Sequence, residues 1–396
     1  MLFRLLFTLF TCDLHEKNRT VVPTLSIIGT IETGNKMSIK KTNNPPAVIV
    51  STDPSSDLFQ EITRLIKDAR QHVAYEYNST QALLCWLIGK RIGEDLLQRE
   101  RADYGKEIIS SLGRQLTLSY GKGYSRANLF RMIRFSKLFP NKDIVSTLSR
   151  QLSWSHFVIL CSMDDSLKRD FYAEMCRVQR WSVRSLKKQV DGMLYERTGI
   201  SKQPESVIES QLKKLKNHDE MTPELIFKEP YFLDFIGVHT YESEEELESL
   251  ILSNITDFLQ ELGTDFSFVA RQKRMSTGKK DRYLDLLFFN RRLRRLIAID
   301  LKIGDFDPAY KGQMEWYLNW LNAHERFDYE EKPIGIILCA GKDHDDIEYL
   351  EMDKTGIHVA QYLTELPPKE VLESHLRKAI SVAKENMLKK SLMSDT

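Results

Sequence analysis

Two short apolar segments of this sequence carry acidic side chains and a lysine of the kind that could cleave a phosphodiester bond. Asp285 lies within residues 283–289, and Asp300 and Lys302 lie within residues 296–303. Each segment is short and rich in branched or aromatic residues, which predicts a buried β-strand. Because side chains alternate along a strand, Asp300 and Lys302 are expected to project to the same side.

The connection between the two segments predicts a hairpin that brings the acids together. A four-residue loop at 291–294 pairs Asn290 with Arg295 and, counting outward, Asp285 with Asp300. Opposed residues of an antiparallel pair have Cβ atoms about 5 Å apart. Two carboxylates at that separation inside apolar strands repel each other and lose solvation, and a divalent cation between them relieves both effects.

The residue types therefore predict a metal-assisted hydrolytic site. Asp285 and Asp300 would bind a hard cation, Mg2+ first and Mn2+ as an alternative. Lys302 would orient or activate the attacking water, or stabilise negative charge in the transition state. The competing interpretation is a surface hairpin whose acids and lysine form ordinary salt bridges, and the apolar neighbours of each acid argue against it.

The charges are distributed unevenly along the 396 residues, although the net charge is +1. Residues 81–200 contain 21 Lys and Arg against 12 Asp and Glu, whereas residues 201–250 contain 5 against 12. A basic first half favours a polyanionic partner such as nucleic acid. The content of 42% hydrophobic and 29% charged residues is that of an ordinary globular protein, and the length favours two domains.

The cysteines and histidines indicate a cytoplasmic protein without zinc. The five cysteines show no C-x-x-C spacing, and the nine histidines form no zinc motif. The apolar start at residues 1–10 is too short to span a membrane and no cleavage site follows it. We therefore expect residues 1–55 to be a disordered tail or an incorrectly assigned start, with translation from Met37 as one hypothesis.

The periodicity of the sequence predicts an α+β protein with an all-α N-terminal domain. Helical spacing dominates residues 56–200, and a polar linker is expected at 201–230. In residues 231–385 the order helix, three strands, helix, strand, short strand, helix predicts a mixed sheet flanked by helices. Residues 386–396 are expected to form a tail.

The acidic motif and its neighbours resemble known families. Asp285 followed by Asp300-x-Lys302 resembles the motif of the PD-(D/E)xK nuclease superfamily. The amino-acid sequence of residues 285–293 and 298–310 is similar to that of the YhcG-like family of bacterial proteins. Trp181-Ser-Val-Arg and Met193-Leu-Tyr-Glu-Arg-Thr resemble that family's N-terminal domain. The resemblance implies a restriction-endonuclease-like core in residues 231–385. Two departures are Asp300, where most relatives are expected to carry Glu, and Leu284, where the superfamily motif has Pro.

The resemblance also implies three further site residues. Restriction-endonuclease-like folds often supply a glutamate from the helix before the strands, which makes Glu248 a candidate metal ligand. Gln313 and Tyr317 match a Q-x3-Y motif that RecB-like nucleases carry near metal and DNA. The alternatives are that Glu248 belongs to the solvated charge run at 242–248, and that Gln313 and Tyr317 belong to an ordinary amphipathic helix.

Two groups of basic residues are candidates for nucleic-acid contact. Arg126, Arg131, Arg134 and Lys137 share one side of a predicted helix. Arg291 and Arg292 lie at the tip of the predicted hairpin and could bind phosphates beside the cleaved bond. For both groups a solvated basic surface is an equally simple explanation.

Together these residues predict a Mg2+-dependent deoxyribonuclease, acting in defence or DNA processing and leaving a 5′-phosphate as the superfamily usually does. The alternative is a catalytically silent nucleic-acid-binding subunit of a DNA-processing or phage-defence assembly. A homodimer is expected by analogy with restriction-endonuclease-like enzymes that cut both strands.

Overall fold

The computed structural model describes residues 54–98, 102–237, 242–278, 280–343, 347, 350 and 352–394. The hypothesis of a start at Met37 lies outside the described residues. Pro54 begins the first described helix. No helix in the described part of the chain combines the length and the apolar character needed to cross a membrane.

The first half of the chain is helical, as its periodicity predicts. The described residues before the first strand form these helices: α1 (Pro54–Gln98), α2 (Ala102–Tyr120), α3 (Arg126–Leu138), α4 (Lys142–Ser149), α5 (Trp154–Leu160), α6 (Ser166–Gln179), α7 (Val183–Asp191), α8 (Leu194–Arg197), α9 (Glu205–His218) and α10 (Pro223–Ile226). Asp165 caps α6, since its side chain accepts hydrogen bonds from the backbone N–H of Leu167 and Lys168.

Close packing holds these helices together. A Cβ atom added to Gly89 on α1 would lie 1.9 Å from the carbonyl oxygen of Met132 on α3, so only glycine permits this approach of the two backbones. Farther along, Phe135 and Phe157 bring their ring centroids to 4.5 Å in a core of buried aromatic side chains. This core continues without interruption into the sheet.

The second half contains a mixed sheet with helices on both faces. Its strands are β1 (Tyr231–Phe232), β2 (Phe266–Thr277), β3 (Lys280–Asn290), β4 (Arg295–Leu301), β5 (Ile334–Cys339) and β6 (Ile357–Leu363), in the order β1-β6-β5-β4-β3-β2. Strands β2, β3 and β4 run antiparallel, whereas β4, β5, β6 and β1 pair in parallel. The remaining described helices are α11 (Glu244–Ser253), α12 (Ile255–Leu262), α13 (Ala309–His324), α14 (Met352–Thr355) and α15 (Lys369–Ser394).

Helices cover the two faces of the sheet and thereby bury β4 and β5. Phe258 on α12 contacts Phe288 on one face, with ring centroids 5.8 Å apart, and Met314 on α13 packs among buried side chains of the other face. Every residue of β5 is buried. Strands buried on both faces read as continuous apolar runs, which explains why the sequence marks them so clearly.

The hairpin between β3 and β4 has the predicted register. Asn290 pairs with Arg295, and Leu286 pairs with Ile299. The turn is fixed by Asn290, whose side-chain oxygen accepts hydrogen bonds from the backbone N–H of Arg292 and Leu293. The register from which Asp285 was counted against Asp300 is therefore confirmed over residues 286–290.

The segment expected as a linker is largely ordered in the structure. Helix α9 buries Ile208, Leu212 and Leu215 and packs against α6. Helix α15 continues to Ser394, so the described part of the expected tail is also helical. The domain boundaries themselves stay predictions.

A buried ion pair joins α8 to α12. Nη1 of Arg197 lies 2.6 Å from Oε1 of Glu261, and the guanidinium carbon lies 3.6 Å from the centroid of the Phe232 ring. Nζ of Lys228 lies 3.5 Å from the other oxygen of Glu261. One carboxylate thus neutralises two buried cations.

Replacing Glu261→Gln should lower the free energy of unfolding by about 3–5 kcal/mol, because it leaves Arg197 and Lys228 buried without a counter-charge. Chemical denaturation followed by circular dichroism would measure the change. Glu373→Gln is the matched control, since it removes a helical partner of exposed Arg377 and should change stability by less than about 1 kcal/mol. Equal effects of the two substitutions would contradict a stabilising role of the buried pair.

Candidate active site

A half-buried and a buried carboxylate face each other where β3 and β4 separate. Asp285 lies one residue beyond the pair formed by Leu286 and Ile299, opposite Asp300. Oδ2 of Asp285 accepts a hydrogen bond of 2.8 Å from the backbone N–H of Leu301. Asp300 is only 2% exposed. The hairpin thus holds both acids inside the protein, and the backbone of β4 fixes the orientation of one of them.

Lys302 lies against this pair immediately after β4. Its Nζ is 3.1 Å from Oδ2 of Asp300 and 3.2 Å from Oε2 of Glu244 on α11. Its backbone N–H donates to the carbonyl oxygen of Leu338 on β5, and its ammonium lies 5.0 Å from the centroid of the Tyr310 ring. The structure therefore brings Asp285, Asp300 and Lys302 together from adjacent positions of the sheet.

The electrostatics of the site show an excess of buried negative charge. Burial, together with repulsion from Asp300, raises the pKa of Asp285 to about 6. Burial also raises the pKa of Asp300, although Lys302 partly opposes the shift. Burial alone would lower the pKa of Lys302, but attraction to Asp300 and Glu244 outweighs it, so the pKa of Lys302 is raised. One ammonium is insufficient to hold both aspartates ionised at their ordinary pKa.

The donor atoms of this pair fit a hard divalent cation. Oδ2 of Asp300 is buried without a hydrogen-bond partner of good geometry. Carboxylate oxygens are the preferred ligands of Mg2+. Within the described ranges, however, no group of three or more His, Cys, Asp or Glu side chains is gathered closely enough to hold a metal ion. The geometry therefore supplies two protein carboxylates, and further ligand positions would fall to water or substrate.

Glu248 on α11 reaches the pair only through another side chain. The amide Nε2 of Gln272 donates to Oε2 of Glu248 and, at 3.1 Å, to Oδ1 of Asp285. Nε of Arg271 lies 2.7 Å from the other oxygen of Glu248, which is 2% exposed. Glu248 is thus buried beside the site as expected, but an amide group separates it from Asp285.

Sequence reasoning missed two residues of the site, Gln272 and Glu244. Gln272 faces Asp285 across β2 and β3 with φ +42, after a register shift between Phe268 and Ala270. An irregularity of this kind leaves no reliable mark in the sequence. Glu244 lies four residues before Glu248, so helical spacing puts both side chains on one side of α11. This spacing was the available signal for Glu244, but the neighbouring acidic residues concealed it.

The Q-x3-Y residues contact each other close to the carboxylates. Nε2 of Gln313 donates to the hydroxyl of Tyr317 at 2.8 Å, and this hydroxyl donates to the carbonyl oxygen of Tyr283, two residues before Asp285. Burial raises the pKa of Tyr317, and the charges of Asp300 and Asp285 raise it further. Both residues therefore belong to the surroundings of the site, where Tyr317 holds β3 against α13.

The arginines of the β3–β4 turn lie at the other end of the hairpin. Five strand residues separate Asp285 from Asn290, which corresponds to roughly 17 Å. Nε of Arg292 pairs with Asp265 at 2.8 Å, and its Nη2 donates to the carbonyl oxygen of Val178 in the helical region. The structure does not bring Arg291 and Arg292 to the acids, and Arg292 joins the turn to α6.

The basic side chains of α3 are exposed, but one of them is held by contacts within the protein. Arg126, Arg131, Arg134 and Lys137 are all exposed. Arg134 is held by Asp164 at 2.7 Å and by the carbonyl oxygen of Cys161. The four side chains are therefore exposed on α3, and a role in binding stays a prediction.

Comparison with protein families matches both halves of the chain. Residues 61–197 match the DUF1016 N-terminal domain, and residues 224–377 match the YhcG PDDEXK nuclease domain. The chain is 31% identical over 355 residues to an Escherichia coli (strain K12) protein described as "Putative nuclease YhcG", covering 82% of this chain and 94% of that protein.

Solved structures show weaker likeness over a third of the chain. A repair endonuclease from Pyrococcus abyssi is 19% identical, with a TM-score of 0.23, over 33% of this chain and 50% of the other. EndoMS in a complex with dsDNA is 17% identical, with a TM-score of 0.25, over 33% of this chain and 48% of the other.

The length and identity of the match to the Escherichia coli protein, together with both domain matches, establish the family of this chain. The acidic motif lies in the part of the chain that matches that family's nuclease domain. This chain therefore belongs to the YhcG family of PDDEXK nucleases, with a helical N-terminal region and a restriction-endonuclease-like core.

Proposed function

We propose that this protein is a Mg2+-dependent deoxyribonuclease in which Asp285, Asp300 and Lys302 form the catalytic centre. The observation that supports this most directly is the convergence of the three side chains, with Nζ of Lys302 3.1 Å from the buried Oδ2 of Asp300. A structural salt bridge would need one acid, whereas this site buries two beside a single ammonium. The second acid is explained if the site binds a divalent cation.

Each residue has a definite role in this proposal. Asp285 and Asp300 hold the cation, which supplies a Lewis acid for the phosphoryl oxygen when bound. Lys302, kept protonated by its carboxylate neighbours, stabilises the negative charge that develops on the phosphate. Glu248 orients Gln272, and Gln272 in turn fixes the rotamer of Asp285. Gln313 and Tyr317 position β3 from the adjacent helix, and Mn2+ would serve as an alternative cation.

Further parts of the proposal concern the helical region, the location and the assembly of the protein. The exposed basic side of α3, formed by Arg126, Arg131, Arg134 and Lys137, is proposed as a second DNA contact of the helical region. A cytoplasmic location suits the buried free cysteines of the described chain. A homodimer that cuts both strands, and a role in defence or DNA processing, stay predictions.

Asp285→Asn should abolish cleavage of plasmid DNA in the presence of Mg2+. Loss of a charged ligand removes several kcal/mol of transition-state stabilisation, which corresponds to a decrease of about 10³-fold or more. Asp328→Asn, on an exposed loop, is the control and should cleave like the wild type. Cleavage retained by Asp285→Asn would refute the assignment, and a wild type that binds DNA tightly without cutting it would favour the silent-subunit alternative.

Asp285→Asn should also stabilise the metal-free protein. The folded-state pKa of about 6 exceeds the ordinary 3.8, so ionisation of Asp285 opposes folding. The stability linked to its proton is complete below pH 3.8 and is lost as the pH rises through about 6. In EDTA the free energy of unfolding of the variant should therefore exceed that of the wild type by about 3 kcal/mol above pH 6, and the difference should shrink towards pH 3.8. Adding Mg2+ should stabilise the wild type and leave the variant unchanged; the reverse order would contradict cation binding by Asp285.

Lys302→Met should separate chemistry from cation binding. The substitution removes the ammonium beside Asp300 but neither carboxylate, so Mg2+ should stabilise this variant against unfolding at least as much as the wild type. Cleavage should nevertheless fall by about 10²-fold or more, because the charge of the transition state loses its protein counter-charge. A variant that cleaves normally would remove Lys302 from the mechanism.

A further inference from the structure

We propose that the basic arm formed by the distal parts of β2 and β3 is the surface that holds the phosphate backbone of a DNA duplex beside the catalytic acids. The arm comprises residues 271–278 and 280–283. This inference rests on the proposed nuclease function and names the surface that would present the substrate to Asp285 and Asp300.

The arm is a two-stranded ribbon that extends past the rest of the sheet. Strand β4 pairs with β3 over residues 286–290, so residues 280–284 of β3 pair with β2 alone. The paired segment from Arg271 to Thr277 corresponds to roughly 20 Å of strand. The ribbon therefore projects from the position of Asp285 towards solvent and offers a surface long enough to follow several phosphates.

The charge of the arm is strongly basic. The arm has five lysines and arginines and one acidic residue, Asp281, and two of the five, Arg271 and Lys273, are paired with acids outside the arm. Arg274 is paired with Asp281 at 2.9 Å yet keeps 63% of its side chain exposed, and Lys280 and Arg282 are also exposed. Duplex DNA carries about one negative charge per 1.7 Å of its axis, so a basic ribbon of this length complements it directly.

The core side of the arm is anchored, which makes it a fixed surface. Met275 and Leu284 are fully buried in the cluster that includes Tyr317. The guanidinium of Arg282 lies 4.2 Å from the centroid of the Trp316 ring, and the indole N–H of Trp320 donates to the carbonyl oxygen of Ser276. Helix α13 thus supports the ribbon along its length, and little ordering of the backbone would be needed on binding.

The base of the arm is connected to the catalytic acids through hydrogen bonds and an ion pair. Arg271 pairs with Glu248, and the next residue, Gln272, donates to both Glu248 and Asp285. The arm and Asp285 therefore belong to the same pair of strands, and a phosphate bound along the arm would lie on the strands that carry this carboxylate. The turn at the other end of β3, with Arg291 at its tip, is roughly 17 Å from them.

The side chains of the arm favour a duplex over a single strand. Proteins that bind single strands stack bases on exposed aromatic side chains in addition to neutralising phosphates. Among the described residues of the arm, Tyr283 is the one exposed aromatic side chain, and Arg282 lies over Trp316. The recognition chemistry available here is charge, which acts on the backbone of a duplex without reading sequence.

The test compares two double variants, each of which removes two positive charges. One variant changes the arm, and the other changes the turn at the opposite end of β3. Arg274→Ala with Lys280→Ala changes the arm without touching Glu248, Gln272 or the carboxylates. Arg291→Ala with Lys332→Ala is the matched control, because both side chains are exposed and lie at the turn end of β3 and β4, where Lys332 accepts a hydrogen bond from Arg295 through its carbonyl oxygen. Thermal unfolding of both variants would verify that they remain folded.

Binding of a labelled DNA duplex would be measured in EDTA at several salt concentrations, so that the result does not depend on cleavage. The arm variant should bind about tenfold more weakly, and its slope of log affinity against log salt should fall by about 2, since two phosphate contacts are lost. The control should match the wild type in both quantities.

The outcomes separate this inference from the proposed function. If the arm variant binds like the wild type, or the control loses as much affinity, the arm is not the phosphate surface, while cleavage by the wild type would leave the nuclease function intact. If a single strand or an RNA duplex of equal length binds more tightly than the DNA duplex, the assigned partner is wrong. If the wild type binds no DNA at low salt, the inference and the proposed substrate both fail.

Discussion

The repulsion between two carboxylates inside the sheet is the constraint on which the rest of the site depends. Asp285 and Asp300 face each other across β3 and β4, and one ammonium, Lys302, lies against them. Burial and mutual repulsion raise the pKa of Asp285 to about 6, so ionisation of Asp285 opposes folding at neutral pH. Such a pair persists only if the surrounding sheet is stable enough to hold it, and in the proposed function binding of a cation offsets the loss. The continuous apolar core on both faces of β4 and β5 supplies that stability.

The sequence predicts this pair well because two simple sequence patterns determine where the two acids lie. Buried strands read as apolar runs, and the four-residue turn fixes the register, so Asp285 and Asp300 could be placed opposite each other by counting. The contacts of Gln272 could not be foreseen, because a register shift after Phe268 and a positive φ at Gln272 decide where its amide points. Glu244 was obscured for a different reason: a run of acidic residues gives no local sign of which one meets a lysine from a distant strand.

The motif residues of the helical region have contacts that explain their presence without chemistry. The backbone carbonyl of Trp181 bonds to the ring of buried His156, and Arg197 is enclosed by Gly192, Pro230 and Glu261. These residues hold the helices to one another and to α12, which carries Glu261. Resemblance in that region therefore reports on packing, whereas resemblance around Asp285 reports on the site. Under the proposed function, substitutions of the first kind of residue would change stability, and substitutions of the second kind would change activity.

The irregularity in β2 has a consequence for association between molecules. β2 is the outermost strand of the described sheet, and Phe268 and Val269 are exposed on it. A regular edge with such side chains would invite a strand from a second chain and lead to aggregation. The bulge between Phe268 and Ala270 interrupts the row of free amide and carbonyl groups, and the positive charges farther along the strand repel an identical edge. The same strand that approaches the acids thus protects the protein against uncontrolled growth of its sheet.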